Sequence, residues 1–399
     1  MNTNTRILFI NFLYDPFIGG GTEVVLRDLV GGAKKFGHEV KVLTLWGEDD
    51  KEELINGVPV YRAKIPNLYF PFGRKKRANI VMRKLWRMVD IYNPISKNIV
   101  LKQIKEFKPD LISIHNLPGW SCSVWDAVDE ADIPAVQVLH DTNLLCPNSM
   151  FKHDTACKDR CFGCKVVRFP CKLKSNKLKA VVGVSNFILN KYLSFDYFKD
   201  VPIKKVIYNS TKINASIERK VDKTYINFGF IGGLMPFKGI ELLLKTYLKI
   251  KKPNYRLFVA GSGKYGYDDY LKSTYKDDSI IFMGRVEPKS FFEKVDVVIV
   301  PSTWYEVFGM IVVESFAFGI PVIGSNIGGI PELIKEGLNG IVFDPFKEND
   351  LEKKMIEFEN NVDEWRNKTE IIRQSAQRFL DYEKWLKEWE SLYSMLLKA

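Results

Sequence analysis

The chain predicts an α/β fold built as two Rossmann-like domains facing a cleft. Two observations predict it. Short β-branched and apolar runs alternate with helical stretches along all 399 residues, and this rhythm falls into two blocks of nearly equal length. Alternation of strand and helix gives parallel sheets covered on both faces. Ligands of such sheets bind at the carboxyl ends of the strands. A hydrophobic content of 46% supports two sizeable cores.

In the first block the strand candidates are residues 7–11, 40–45, 58–62, 111–115, 135–140 and 180–185, with helices over 22–36 and 98–107. The opening segment carries only a short apolar run and no small-residue cleavage site, so it reads as a first core strand and not a signal peptide. In the second block, 226–231, 256–260, 280–283, 297–300 and 321–324 repeat the pattern, with a helix over 309–318. The boundary is expected near 206–211, which gives domains over 1–208 and 209–380. Trp385, Trp389, Leu392, Tyr393 and Leu396 recur at helical spacing near the end, the stripe of a helix that buries one face. No run of about 18 apolar residues is present to span a membrane, and a cytoplasmic location is expected.

The net charge of +11 is uneven. Residues 1–208 hold 32 Lys and Arg against 21 Asp and Glu, and the remainder holds 27 against 27. Two segments concentrate the excess: 74–87, with seven cations and no acid, and 152–179, with nine cations against Asp154 and Asp159. Solvated surface accounts for scattered lysines. Here Arg74, Lys75, Lys76 and Arg77 lie between Leu68, Tyr69, Phe70 and Phe72 on one side and Ile80, Met82, Leu85 and Trp86 on the other. Cations beside apolar anchors suit an anionic bilayer surface, so peripheral contact with the inner membrane face is expected.

The most informative stretch is 301–334, PSTWYEVFGMIVVESFAFGIPVIGSNIGGIPELI. Glu306 and Glu314 stand eight residues apart with Gly309 between them, where a helix begins. The first N–H groups of a helix point forward and favour an anion. At about 1.5 Å per helical residue the carboxylates lie on the order of 10 Å apart. That is too wide for the pair of about 5 Å that flanks one bond in a retaining glycosidase. It suits two grips on an elongated ligand with a negative middle, such as a nucleotide sugar. An ordinary αβ unit with two surface glutamates satisfies the same spacing.

The pattern at Pro301, Ser302, Glu306, Glu314, Gly319, Pro321, Val322, Gly328, Gly329 and Glu332 resembles the signature of the large retaining glycosyltransferase family called group 1, or family four. The resemblance covers essentially the whole chain and implies a GT-B fold, with the last helix, 381–399, packed back on the first domain. It implies transfer of a sugar from a nucleotide-sugar donor to a hydroxyl of a sugar or lipid-linked acceptor, as in cell-surface polysaccharide or glycolipid synthesis. In that scheme Glu306 holds the donor hexose and Glu314 the ribose, while Lys238 and the N–H groups of Phe308, Gly309 and Met310 meet the diphosphate. No Asp-x-Asp occurs, so no catalytic metal is expected.

Other positions follow the same resemblance. Gly19-Gly20-Gly21-Thr22-Glu23 is similar to the Gly-Gly-x-Glu loop that covers the diphosphate, which assigns Gly20 and Gly21, and Thr22 is expected to cap the next helix. Gly232-Gly233-Leu234-Met235-Pro236-Phe237-Lys238-Gly239 resembles a Gly-Arg-Leu-x-x-x-Lys-Gly loop, but the usual Arg falls on Gly233. Arg285, followed by Val286, is the candidate replacement. His140-Asp141 matches a His-Asp near the donor hexose, and Ser185 and Asn186 match a position facing the cleft. His115 and Asn116 end an earlier strand at the same edge, within reach of an acceptor, and Asn209 marks a hinge.

All six cysteines lie in the first half, and Cys146, Cys157, Cys161, Cys164 and Cys171 crowd into a Cys-rich insertion over 146–171. Such spacing is compatible with a structural zinc site, completed by Cys146, Cys171 or His153, with an iron–sulfur cluster, with reduced thiols or with disulfides. Two other classes stay open: a sugar-nucleotide 2-epimerase of the same fold, and a nucleic-acid-binding protein using the basic Cys segment. The Glu306–Glu314 signature argues against the first. For the second no nucleic-acid partner is expected, because tight, steeply salt-dependent RNA binding would be required. The donor base and the oligomeric state are not encoded in these motifs.

Overall fold

The computed structural model describes residues 5–74, 76, 78–152, 155–213 and 223–398. The chain divides into two units. One comprises Met1–Met150, Cys157–Asn209 and Glu383–Ala399, the other Phe151–Ala156 and Ser210–Tyr382.

The first unit is built on an eight-stranded sheet. In chain order its strands are β1 (Arg6–Ile10), β2 (Glu39–Trp46), β3 (Lys51–Ile55), β4 (Val58–Lys64), β5 (Leu111–Ile114) and β6 (Ala135–Leu139). A two-stranded hairpin, β7 (Phe151–Lys152) and β8 (Thr155–Ala156), interrupts the series before β9 (Ala180–Gly183) and β10 (Ile203–Val206). The order across the sheet is β10-β9-β6-β5-β1-β2-β4-β3. β1 lies in the interior of the sheet, with Ile7, Leu8, Phe9 and Ile10 wholly buried, as expected of a strand covered on both faces. All ladders are parallel except β3 with β4. That hairpin turns at Asn56-Gly57, both in left-handed conformation, the turn chemistry such a connection needs. β3 escapes the sequence reading because KEELI is a charged edge strand with little apolar periodicity.

The helix Gly21–Lys35 buries Val25, Leu26, Leu29, Val30 and Ala33 on one stripe. Pro94–Phe107 starts where the Asn93 side chain accepts from the Ile95 N–H at 3.0 Å and Pro94 occupies the first turn. The last helix, Tyr382–Leu396, packs on this unit as expected. Leu386 fills the space beside Gly32, where an added Cβ would lie 2.1 Å from it. Nε2 of His38 meets Glu390 at 2.8 Å. Trp385, Trp389, Leu392, Tyr393 and Leu396 are all buried.

The second unit carries a six-stranded, all-parallel sheet: β11 (Ile226–Ile231), β12 (Tyr255–Ala260), β13 (Ile280–Gly284), β14 (Val297–Val300), β15 (Val322–Ser325) and β16 (Gly340–Phe343). Their order is β13-β12-β11-β14-β15-β16. The order reverses between β11 and β14, so the loops after these two strands diverge and leave a crevice at their carboxyl ends. The loops after β1 and β5 stand in the same relation in the first sheet.

Candidate functional site

In the second unit, β11 leads into a tight turn, Pro236–Lys238, and then into the helix Ile240–Ile250. Gly239 joins them with φ of 74°, and a Cβ there would lie 1.8 Å from the Pro301 carbonyl oxygen. Only glycine fits, because the loop after β11 lies directly on the loop after β14. Lys238 is thereby placed beside Glu306, and the two side chains form an ion pair. Ser302 Oγ donates to the same Glu306 oxygen at 3.1 Å. Behind Glu306, Gly328 has φ of 67° and would meet the Glu306 carbonyl at 2.1 Å with a Cβ, while the Gly329 N–H donates to that carbonyl at 2.6 Å. The Gly-Gly turn of the 301–334 pattern therefore serves to seat Glu306.

Gly309 precedes the helix Met310–Ala317, whose opening N–H groups have no partner within the helix. Glu314 sits one turn in, half-buried, and burial pushes its carboxyl up to about 7. Arg285 follows β13, two strands from β11, and its Nε donates to Ser262 Oγ at 2.7 Å on an exposed surface. The loops after β11 and β12 are laced together by the Leu234 N–H donating to the Ser262 carbonyl at 3.1 Å. Ser262, which links Arg285 to that loop, carried no sequence signal.

In the first unit, the loop after β1 runs into the helix Gly21–Lys35. This corrects the expected cap: Thr22 lies inside the helix, and the Glu23 carboxylate caps it instead. It accepts from the Gly20 N–H at 2.8 Å and from Gly19 at 3.2 Å. Burial raises the Glu23 carboxyl, and these N–H groups oppose that. A Cβ on Gly20 or Gly21 would meet nothing within 4 Å, so the fold itself leaves open space there.

His115 and His140 end β5 and β6, and their Nδ1 and Nε2 atoms are 2.9 Å apart. Ser113 Oγ lies 3.1 Å from Nε2 of His115. Burial pushes His140 down to about 3 and His115 well below the usual imidazole range, so the two rings share a hydrogen bond as neutral groups. Burial also raises the Asp141 carboxyl. Ser185 is buried, and its Oγ accepts from the Ile188 N–H at 3.2 Å, which makes it the cap of the helix Asn186–Leu193. The Asn186 side chain donates to the Tyr208 hydroxyl at 2.5 Å.

Of the alternatives open for the cysteines, the structure describes free thiols and lends a metal site no support. Cys146 and Cys164 thiols are 3.0 Å apart, and burial with this contact raises the Cys164 thiol. Cys171 is buried on the helix Phe169–Lys174 against Cys122, a residue outside the expected set, and that contact raises the Cys122 thiol. Cys164 thus meets Cys146 and Cys161 while Cys171 lies apart against Cys122, and among the described residues no group of three or more Cys, His, Asp or Glu side chains is placed to hold a metal ion. His153 lies outside the described residues.

The chain matches the family described as "Glycosyl transferases group 1" over residues 212–378 and the family "Glycosyltransferase Family 4" over residues 19–209. It is 28% identical over 379 residues, 90% of this chain and 96% of the other, to a 42.6 kDa protein of the cps region of Klebsiella pneumoniae. Its fold is similar to sucrose-phosphate synthase of Thermosynechococcus elongatus, with TM-score 0.77, 18% identity and 99% of each chain covered. Anabaena HepE, solved with UDP and glucose, matches with TM-score 0.71 at 19% identity over 98% of this chain and all of that one. With two parallel-sheet units and these matches along nearly its whole length, the chain belongs to the group 1, family-four glycosyltransferases, enzymes of the GT-B fold.

Proposed function

We propose that the protein is a retaining transferase. It would move a sugar from a nucleotide diphosphate donor to a hydroxyl of a lipid-linked or saccharide acceptor during cell-surface polysaccharide synthesis. The observation that carries this is the Lys238–Glu306 pair, held at the switch point of the second sheet just before the start of a helix. Lys238 meets the departing diphosphate as a compact charge, with the N–H groups of Phe308, Gly309 and Met310. Glu306 takes the hexose hydroxyls, Glu314 the ribose, and Arg285 and Val286 border the nucleotide. On the first unit, Gly20 and Gly21 would be the backbone contact of the diphosphate, with open space around them, and His140, a neutral ring, the contact of the hexose.

The bond from the anomeric carbon to the diphosphate breaks while the acceptor oxygen bonds to the same face of that carbon. The acceptor proton passes to a phosphate oxygen of the leaving group. The cps-region relative supports the polysaccharide setting, and the UDP held by HepE makes UDP-sugars the first donors to try.

A bilayer surface is the proposed workplace. The helix Ile80–Val89 buries none of its side chains, with Ile80, Val81, Leu85 and Met88 exposed beside Arg83, Lys84 and Arg87. Lys75 and Arg77 lie outside the described residues. Among the described residues no helix is long and apolar enough to cross a membrane. The test is a thermal-shift screen of nucleotide sugars, since a ligand at 100 times its Kd stabilises by about 2.7 kcal/mol. NMR of the product linkage follows. Inverted anomeric configuration would sink the retaining mechanism, and no shift with any nucleotide sugar would sink the donor assignment.

A further inference from the structure

We infer that the Cys-rich insertion is a second bilayer-docking element, which joins the helix Ile80–Val89 to form one membrane footprint on the first unit. The inference rests on the membrane reading above and extends it to residues that reading does not include. The insertion contains two short helices in sequence, Phe162–Val167 and Phe169–Lys174. Phe162, Val166, Phe169 and Leu173 are 81%, 57%, 54% and 62% exposed. Their spacing of four, three and four residues is that of one helical stripe, and a stripe of this kind ordinarily faces a core. Here the inward positions are taken by Arg168 and Cys171, both buried, and the apolar stripe is turned outward.

Two contacts hold this stripe beside the end of the helix Ile80–Val89. The Arg168 guanidinium reaches Asp90, the residue that closes that helix, at 3.3 Å to both its carboxylate and its carbonyl oxygen. Lys174 Nζ donates to Asp126 at 2.6 Å, and the hydroxyl of Tyr92 donates to the same carboxylate at 2.8 Å. The segments that carry the two exposed apolar faces are therefore neighbours. An exposed apolar surface of this extent marks an interaction site.

Charge selects the occupant. No Asp or Glu occurs from residue 160 to 195, nor from 74 to 89. Asp90, Asp196, Asp126 and Asp129 neutralise Arg168, Lys172, Lys174 and Lys177 from outside these stretches, and the positive charge left on the two apolar segments is that of exposed Lys165 and Lys84 and half-buried Arg83. A second copy of the chain would set these cations against their own kind. An anionic bilayer accepts both features, the apolar side chains entering the interface and the cations meeting headgroup phosphates.

The test uses the full chain with vesicles containing phosphatidylglycerol, read by co-sedimentation and by hydrogen exchange. Phosphatidylglycerol vesicles should slow exchange over both 80–89 and 162–174. The triple variant Phe162→Ser, Val166→Ser, Phe169→Ser should lower the vesicle partition coefficient at least tenfold while UDP still shifts its melting as in the parent. If the variant binds vesicles as the parent does and exchange over 162–174 is unchanged, the insertion is not at the bilayer, and the helix Ile80–Val89 alone keeps the membrane reading. Failure of the parent to bind any anionic vesicle removes both. Protection of 162–174 that grows with protein concentration and without lipid assigns the face to a second copy and overturns the inference.

Discussion

Lys238 and Glu306 stand 68 residues apart in the chain, yet their side chains form one ion pair. They meet because β11 and β14 are hydrogen-bonded neighbours and both loops leave the same edge of the sheet. Each side chain keeps some exposure, 31% for Lys238 and 19% for Glu306, so the pair is accessible to a ligand. A sugar diphosphate offers each partner a replacement: phosphate oxygens for the cation, hydroxyl donors for the acid. In the proposed reaction the resting pair would hold both groups in place until the donor separates them.

Replacing Lys238 with Ala is expected to cost about 2–4 kcal/mol of transition-state stabilisation, the scale of losing one charge-stabilising donor. Glu306→Gln should abolish transfer while UDP binding, measured by calorimetry, remains. The double variant should lose less than the sum, because the residues are in contact. Wild-type kcat/KM in Lys238→Ala would place the phosphate elsewhere.

Gly20→Ala separates folding from ligand approach. Its backbone is extended, with φ of −173°, and a Cβ there meets nothing, so stability in urea should change by about 0.5 kcal/mol or less. Donor affinity should nevertheless fall about tenfold if backbone closes on the diphosphate there. Unchanged affinity would move the diphosphate away from this loop.

Glu314 should make stability fall as pH rises. Its carboxyl is raised from 4.5 to about 7, so between these values the folded chain holds a proton that the unfolded chain has lost. The sign follows directly: binding more protons in the folded state means stability declines with pH in that window, by on the order of 3 kcal/mol in all. Glu314→Gln should remove this decline, so urea midpoints of parent and variant should diverge from pH 5 to pH 8, the variant being the more stable at pH 8. Parallel curves would show that the carboxyl is not buried as described. Glu314→Ala should also weaken UDP binding.

Arg168→Met should be severely destabilising, by about 3–5 kcal/mol, because it leaves the buried Asp90 carboxylate without its cation. Burial already raises Asp90 to about 6 despite Arg168. Adding Asp90→Asn should recover part of the loss. Denaturation of the single and double variants checks this, and an Arg168→Met protein as stable as the parent would show the pair to be dispensable.

The alternation of strand and helix, the helical stripe of Trp385, Trp389 and Tyr393, and the 301–334 pattern are properties of contiguous residues, and the amino-acid sequence by itself determined them. They depend on periodicity and turn chemistry acting over a few residues, which are visible one segment at a time. β3 was hidden because a charged edge strand has one neighbour to satisfy and needs no apolar face. The capping by Glu23, the pairing of Cys171 with Cys122, the Asp90–Arg168 contact and the outward turn of Phe162 and Phe169 were decided only by the tertiary structure. So was the meeting of Lys238 with Glu306. Each depends on which loops the strand order brings to one edge and which side of a helix the core takes. Those choices belong to the packed chain as a whole, because burial is shared among segments distant in sequence and no one segment encodes its partner.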